Sequence, residues 1–191
     1  MRKLVLALAI AVAAPAFAVN TPDADFPATP LPGTTAALEP YLAGSVTYDR
    51  NVPFGVSGGA VGVHGHVQVR VLKTAGGRLD FYYRVFNDAN STGPITVAQV
   101  RNFPRVSYNA NWRQDGLGDV APQSVAGGLN AGVWVLQFQF AGTGIAPGRS
   151  SRFFFLSSGY HAWVPDATTW MRLRGPGNVA VGDLNIPLPR P

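Results

Sequence analysis

Polar and apolar residues alternate along several segments of this 191-residue chain, and this alternation restricts it to a fold of half-buried strands. Valine recurs at alternate positions between Ala60 and Leu72, and the positions between carry His64, His66, Gln68 and Arg70. A two-residue period places one set of side chains in a core and the other in solvent. The segment is therefore predicted to be a strand with one buried face.

The same period recurs along the rest of the chain. Further strands are predicted at 44–48, 79–86, 95–100, 105–108, 133–140, 151–157, 170–174 and 178–184. The segment 151–157 is apolar on both faces, which is typical of a central strand, and no stretch after residue 18 combines helical periodicity with caps. The pattern predicts an all-β fold, an antiparallel β-sandwich of about eight or nine strands.

The first eighteen residues have the pattern of a secretory signal peptide. A short basic start, Met1-Arg2-Lys3, precedes the apolar run Leu4–Ala14, and Ala16-Phe17-Ala18 has the small-x-small pattern of a cleavage site. Cleavage is expected after Ala18, which makes the mature protein periplasmic or extracellular. No later apolar run approaches the ~20 residues of a spanning helix, so none is expected in the mature chain.

Proline content divides the mature chain into three parts. Residues 19–43 carry five prolines and are predicted to be an extended arm or linker, either a tether or a docked irregular segment. Residues 44–186 are predicted to form the β-sandwich domain. Residues 187–191, which carry three prolines, are predicted to be a C-terminal tail that does not continue a strand ladder.

Charge and cysteine content exclude some classes of partner. The formal charge is +5, and loss of Arg2 and Lys3 with the signal peptide lowers it to +3. The arginines are scattered along the chain and not clustered, so no nucleic-acid partner is expected. There is no cysteine, so the fold is expected to rest on its core without disulfides.

An aromatic segment is the most prominent candidate for ligand binding. Tyr160, His161, Trp163 and Trp170 lie in or next to one predicted loop, and Trp112 lies in another. Flat aromatic side chains stack on sugars or anchor protein interfaces. The alternative is that the tryptophans cap the ends of the core, because tryptophan is highly buried on average.

Two small clusters resemble metal sites. His64 and His66 lie two apart on one strand face, a geometry that zinc uses when a third ligand is supplied by Asp80, His161 or Asp166. Asp115 and Asp119 lie in one loop with asparagines nearby, and carboxylate oxygens suit calcium. The alternatives are a solvent-facing histidine pair and a solvated turn, so no cofactor is predicted outright.

No catalytic signature stands out. The segment 55–59 matches the nucleophile pattern G-x-S-x-G, but a strand follows it where that motif requires a helix. Glu39 is the only glutamate, so a pair of acids for glycoside hydrolysis would have to come from aspartates in turns. We therefore favour a non-enzymatic role and assign no catalytic residue.

The order of strands and turns between residues 62 and 165 resembles that of exported bacterial β proteins of the PEP-CTERM type. The resemblance rests on the glycine-aromatic strand 77–87, the strand 95–100, and the segment 138–151, which ends in a Pro-Gly-x-Ser-Ser step. The sorting tail that defines those proteins is absent. The resemblance implies an exported surface or matrix protein and carries over no catalytic residue.

These observations lead to three functional expectations. The first is an exported non-enzymatic β-sandwich of the cell envelope or extracellular matrix that binds a polysaccharide, another polymer or a protein partner. The second is a carbohydrate-binding or hydrolytic module that uses the 160–170 aromatics. The third is a small outer-membrane β-barrel, because its strands also alternate. Oligomeric state is left open.

Overall fold

The computed structural model describes residues 18–55, 62–165 and 168–190. Residues 1–17 of the signal-peptide pattern, residues 56–59 of the G-x-S-x-G segment, the first two residues of the strand predicted at 60–72, and Asp166 lie outside these ranges. Fourteen strands are described: β1 (Val19–Thr21), β2 (Phe26–Pro30), β3 (Gly44–Gly55), β4 (His64–Thr74), β5 (Leu79–Asn87), β6 (Val97–Arg101), β7 (Tyr108–Trp112), β8 (Pro122–Asn130), β9 (Val133–Phe140), β10 (Phe154–Ser157), β11 (Ala162–Val164), β12 (Trp170–Arg174), β13 (Ala180–Asn185) and β14 (Leu188–Arg190).

Two antiparallel six-stranded sheets pack face to face as a β-sandwich, which confirms the predicted fold class. Sheet I has the order β1-β7-β10-β5-β4-β3, and sheet II has the order β13-β12-β6-β9-β8-β2. Strands β11 and β14 form a separate two-stranded pair. Two short 3-10 turns, Pro40–Leu42 and Pro176–Asn178, are the helical elements described. The described chain has no helix with the length and apolar character needed to cross a membrane.

The core lies between the sheets and follows the predicted alternation. Val67, Val69 and Val71 of β4 are fully buried, as are Phe81 and Tyr83 of the neighbouring β5. Sheet II contributes the buried faces of β6, β9 and β12 to the same cluster. The alternation thus identified the inward faces of β4, β5 and β9, because an antiparallel sheet with one face in solvent alternates apolar and polar residues.

The segment 153–156, which includes most of β10, is apolar on both faces because it is covered on both sides. Phe154 and Leu156 enter the main core, whereas Phe153 and Phe155 face outward and are also buried. The outward pair packs with Leu42 and Tyr82 in a second, smaller cluster. A central strand covered on both sides needs apolar residues on both faces.

The proline-rich arm contributes an edge strand to each sheet: β1 pairs with β7, and β2 pairs with β8. It then crosses the outer face of sheet I and ends in the 3-10 turn that carries Leu42. Gly33, at a φ of +78°, lets the backbone lie against the ring of Trp112, where a Cβ would overlap the ring. The described sandwich therefore begins at Val19, ahead of the predicted boundary at residue 44.

The C-terminal tail also differs from the prediction. Leu188–Arg190 forms a strand with β11, although the segment is rich in proline. Proline is tolerated in a strand at an edge, where its missing N–H is not needed by a neighbour. The strand predicted at 105–108 lies further along the chain in the structure: it is β7, which begins at Tyr108 and ends at Trp112.

Candidate functional site

The predicted aromatic set is spread over the molecule. Trp112 lies at the end of β7, half-buried against the core, and its Nε1 donates to the Leu31 carbonyl oxygen at 3.1 Å. Trp163 also packs against the core and meets Tyr48 edge to face, with 5.0 Å between ring centroids. These two indoles fill structural positions, which is the core-capping arrangement weighed above.

The other members of the set are also engaged with the protein. The Trp170 ring, on the outer face of sheet II, lies under the guanidinium groups of Arg101 and Arg172, each 4.6 Å from its centroid. His161 is exposed, and its Nδ1 lies 3.1 Å from the Gly77 carbonyl oxygen. Tyr160 is half-buried, and its backbone carbonyl accepts from the N–H of residue 79. The structure therefore gathers no aromatic platform from these residues.

The predicted metal ligands are likewise separate. His66 stacks on Phe86, with ring centroids 4.3 Å apart. His64 lies at the start of β4, where its backbone carbonyl accepts from the Ser91 hydroxyl at 2.9 Å. Among the described residues, no group of three or more histidine, aspartate or glutamate side chains is placed to hold an ion.

The two loop aspartates have protein partners instead. Both oxygens of Asp115 accept from Arg113, at 2.7 and 2.9 Å. Asp119 accepts from the Ser150 backbone N–H at 2.9 Å and from Arg149 at 3.0 Å. These contacts lower the pKa of both carboxyl groups, so each works as a fixed anion that organises its loop.

A buried acidic group lies where the arm crosses sheet I. Asp80 is fully buried, and among the described residues neither carboxylate oxygen has a hydrogen bond of good geometry, although the Ser157 hydroxyl lies nearby. Burial raises its pKa to about 6, and the neighbouring Ser157 and Arg113 side chains offset part of that shift. Burial raises the pKa values of the phenols of Tyr41 and Tyr82, and the charge of Asp80 adds to both shifts. Asp80 is thus a source of pH-dependent stability at the arm.

The part of sheet I that the arm leaves uncovered carries a groove of about 320 Å³, here called the arginine groove. Its lining residues come from β4, β5 and the two loops beside β7 and β10: Gln68, Arg70, Leu72, Tyr82, Arg84, Arg113, Asp115, Gly116, Leu117 and Phe153. Three guanidinium groups and one carboxylate therefore share an open concave surface with an apolar floor. A concave site with convergent polar groups is the ordinary form of a ligand site.

Aromatic rings lie next to two of the guanidinium groups of the arginine groove. The guanidinium carbons of Arg70 and Arg84 lie 5.1 and 5.9 Å from the ring centroid of Phe153. Arg84 also lies 4.4 Å from the ring of Phe86, whose ring is stacked on His66. Cation–π contacts hold the guanidinium groups over these rings, which restricts their positions before any ligand arrives.

Two of the three arginines are neutralised within the protein. Arg70 donates Nε and Nη2 to one oxygen of Asp49, at 3.0 and 2.6 Å, and Arg113 makes the bidentate pair with Asp115. Arg84 has no carboxylate within ion-pair distance among the described residues. Its Nη2 donates to the Ser150 hydroxyl at 2.9 Å, and burial lowers its pKa despite the field of Asp119.

The sequence predicted the face that carries this groove but not the groove itself. The polar positions of β4 identify Gln68 and Arg70 as outward-facing, and Arg84 follows from the same alternation in β5. Arg113 and Phe153 lie in loops, so no periodicity places them beside those strands. The available signal is the arginine at the outward positions 70 and 84, which are scattered in sequence and come together only in the folded sheet.

Comparison of the chain with protein-family models, curated proteins and solved structures finds no match.

Proposed function

We propose that this is an exported, non-enzymatic β-sandwich protein of the cell envelope or extracellular matrix, and that it binds a polymer in the arginine groove. The observation that carries the proposal is the groove itself, in which guanidinium groups lie over the ring of Phe153. Export rests on the signal-peptide pattern of residues 1–18.

The shape of the groove favours a polymer over a small metabolite. Its volume of about 320 Å³ lies at the low end of the ~300–1,000 Å³ of small-molecule pockets. It also opens along the outer face of the sheet, so one segment of a chain can lie in it while the rest continues past. Binding of this kind gains strength from repetition along the polymer.

The chemistry of the groove favours binding without catalysis. Among the described residues that line it, the one carboxylate is Asp115, which is held by Arg113 and has a lowered pKa, so it is a weak base. A general base works best with a pKa near the operating pH. The lining guanidinium groups are planar cations, which suits them to holding a ligand in place.

Co-sedimentation tests this proposal. The protein, purified after export, is mixed with insoluble polysaccharides and with extracellular matrix from its host, and the bound fraction is measured. Gln68→Trp places a large ring at the rim of the groove and is expected to reduce binding. Gln139→Trp, the same change on the outer face of sheet II, is the matched control and is expected to bind normally.

Three results would contradict the proposal. If no material sediments the protein, polymer binding is wrong. If Gln139→Trp loses binding and Gln68→Trp keeps it, the binding surface is on sheet II. Equal binding by both variants would also exclude the arginine groove as the site. A far-ultraviolet circular dichroism spectrum of each variant confirms that both have folded.

A further inference from the structure

The charges around the arginine groove do not balance. Its lining holds Arg70, Arg84 and Arg113 against a single aspartate, Asp115. Asp49, outside the lining, neutralises Arg70. One guanidinium, that of Arg84, is therefore left without an acidic partner among the described residues, in an open site.

The nearest candidate for that partner is already engaged. Asp119 lies close enough to influence Arg84, but its two oxygens accept from Arg149 and from the Ser150 backbone N–H and hydroxyl. Ser150 also accepts from Arg84 at 2.9 Å, so it bridges the two charges. Asp119 therefore forms no ion pair with Arg84 and contributes only a longer-range attraction.

Arg84 is also oriented in advance. Its guanidinium is held by Ser150 at Nη2 and lies over the rings of Phe86 and Phe153. Among the described residues Nη1 has no hydrogen-bond partner, and unlike Nε it is not one of the fully buried polar atoms. A planar donor fixed in this way loses little entropy when it binds an oxyanion.

We propose that the ligand of the arginine groove is an acidic polysaccharide whose carboxylate or sulfate group is bound by Arg84. This inference rests on the proposed polymer-binding function and specifies its chemistry. The charged group supplies the counter-ion that Arg84 lacks, and a charge-assisted hydrogen bond to Nη1 fixes it. The sugar ring to which it is attached lies along the rim formed by Gln68 and Leu117.

Affinity measurements with three soluble probes test the inference. Calorimetry of the exported protein is carried out with polygalacturonate, dextran sulfate and neutral dextran, at about 50 and 300 mM NaCl. Binding is expected for at least one acidic polymer, weaker at the higher salt because exposed charges are screened. Neutral dextran is expected not to bind, and the two acidic probes distinguish carboxylate from sulfate recognition.

Substitutions of Arg84 locate the site. Arg84→Gln is expected to weaken acidic-polymer binding about tenfold or more, because it removes a hydrogen bond between charged groups. Arg84→Lys keeps the charge but loses the planar fork, and an intermediate affinity is expected. Arg105→Gln removes the same charge from an exposed position over Trp134, and a change below about twofold is expected.

The outcomes separate the inference from the proposed function. Binding of neutral dextran as tight as that of the acidic probes would overturn the inference and leave polymer binding in place. Equal losses in Arg84→Gln and Arg105→Gln would also overturn it, because only net charge would then matter. If Arg84→Gln does not fold, Gln68→Glu replaces it as the test. This variant adds a negative charge at the rim of the groove and is expected to weaken the binding of polygalacturonate and dextran sulfate.

Discussion

Replacing Asp80 by asparagine is expected to remove a pH-dependent penalty on stability. The carboxyl group is buried where the arm crosses sheet I, and burial raises its pKa from 3.8 to about 6. An acid whose pKa is higher in the folded state binds its proton more tightly there. Its contribution to stability is therefore fully present below pH ~4 and is lost as the pH rises through 6.

The size of the effect follows from the shift. A difference of about two pKa units corresponds to about 3 kcal/mol, at ~1.4 kcal/mol for each unit. The free energy of unfolding of the parent protein, relative to Asp80→Asn, should fall by about this amount between pH 4 and pH 8. Asparagine cannot ionise, so the variant does not incur the cost of a buried, unpartnered charge.

Urea denaturation followed by tryptophan fluorescence measures this difference at each pH unit from 4 to 8. Asp88→Asn, at an exposed position, is the matched control, and its curve is expected to run parallel to that of the parent. If the parent and Asp80→Asn also keep a constant difference across this range, the burial of an unpartnered Asp80 carboxylate is refuted.

Three further predictions concern the arm, the sheet and the predicted aromatics. Leu42→Ala should lower the free energy of unfolding by about 2–4 kcal/mol in urea denaturation, because it removes the arm's leucine side chain from the cluster that packs the arm against sheet I. An unchanged value would mean that the arm is not docked. Gly65→Ala should lower the melting temperature by several degrees, because its Cβ would meet the Phe86 carbonyl oxygen, and an unchanged melting temperature would contradict that close approach. Trp170→Ala should leave polymer co-sedimentation unchanged, because the indole lies under two guanidinium groups; loss of binding would restore the aromatic segment as the site.

The sequence predicted the fold because antiparallel strands with one wet face repeat every two residues. The inward faces of β4, β5 and β9 could be identified from that period. Strands β1 and β2 were not predicted, because prolines at a sheet edge break the pattern without preventing pairing. Strand β8 was missed because its glycines and polar residues hide its alternation.

The candidate site was harder to predict than the fold. Tryptophan and histidine have known binding chemistry, but in this fold the indoles of Trp112, Trp163 and Trp170 and the ring of His66 are engaged in packing and stacking. The arginine groove combines residues from strands and loops that are distant in sequence, such as Gln68 and Phe153. Its unbalanced charge appears only once the ion pairs Arg70–Asp49 and Arg113–Asp115 are known.

The most direct test of the account is to map a bound acidic oligosaccharide by nuclear magnetic resonance. The isotope-labelled exported protein is titrated with trigalacturonate, and backbone amide shifts are followed. The account predicts that the largest shifts cluster at Gln68, Arg84 and Leu117, around the arginine groove. Shifts centred on Trp170 and sheet II, or none at millimolar ligand, would contradict it.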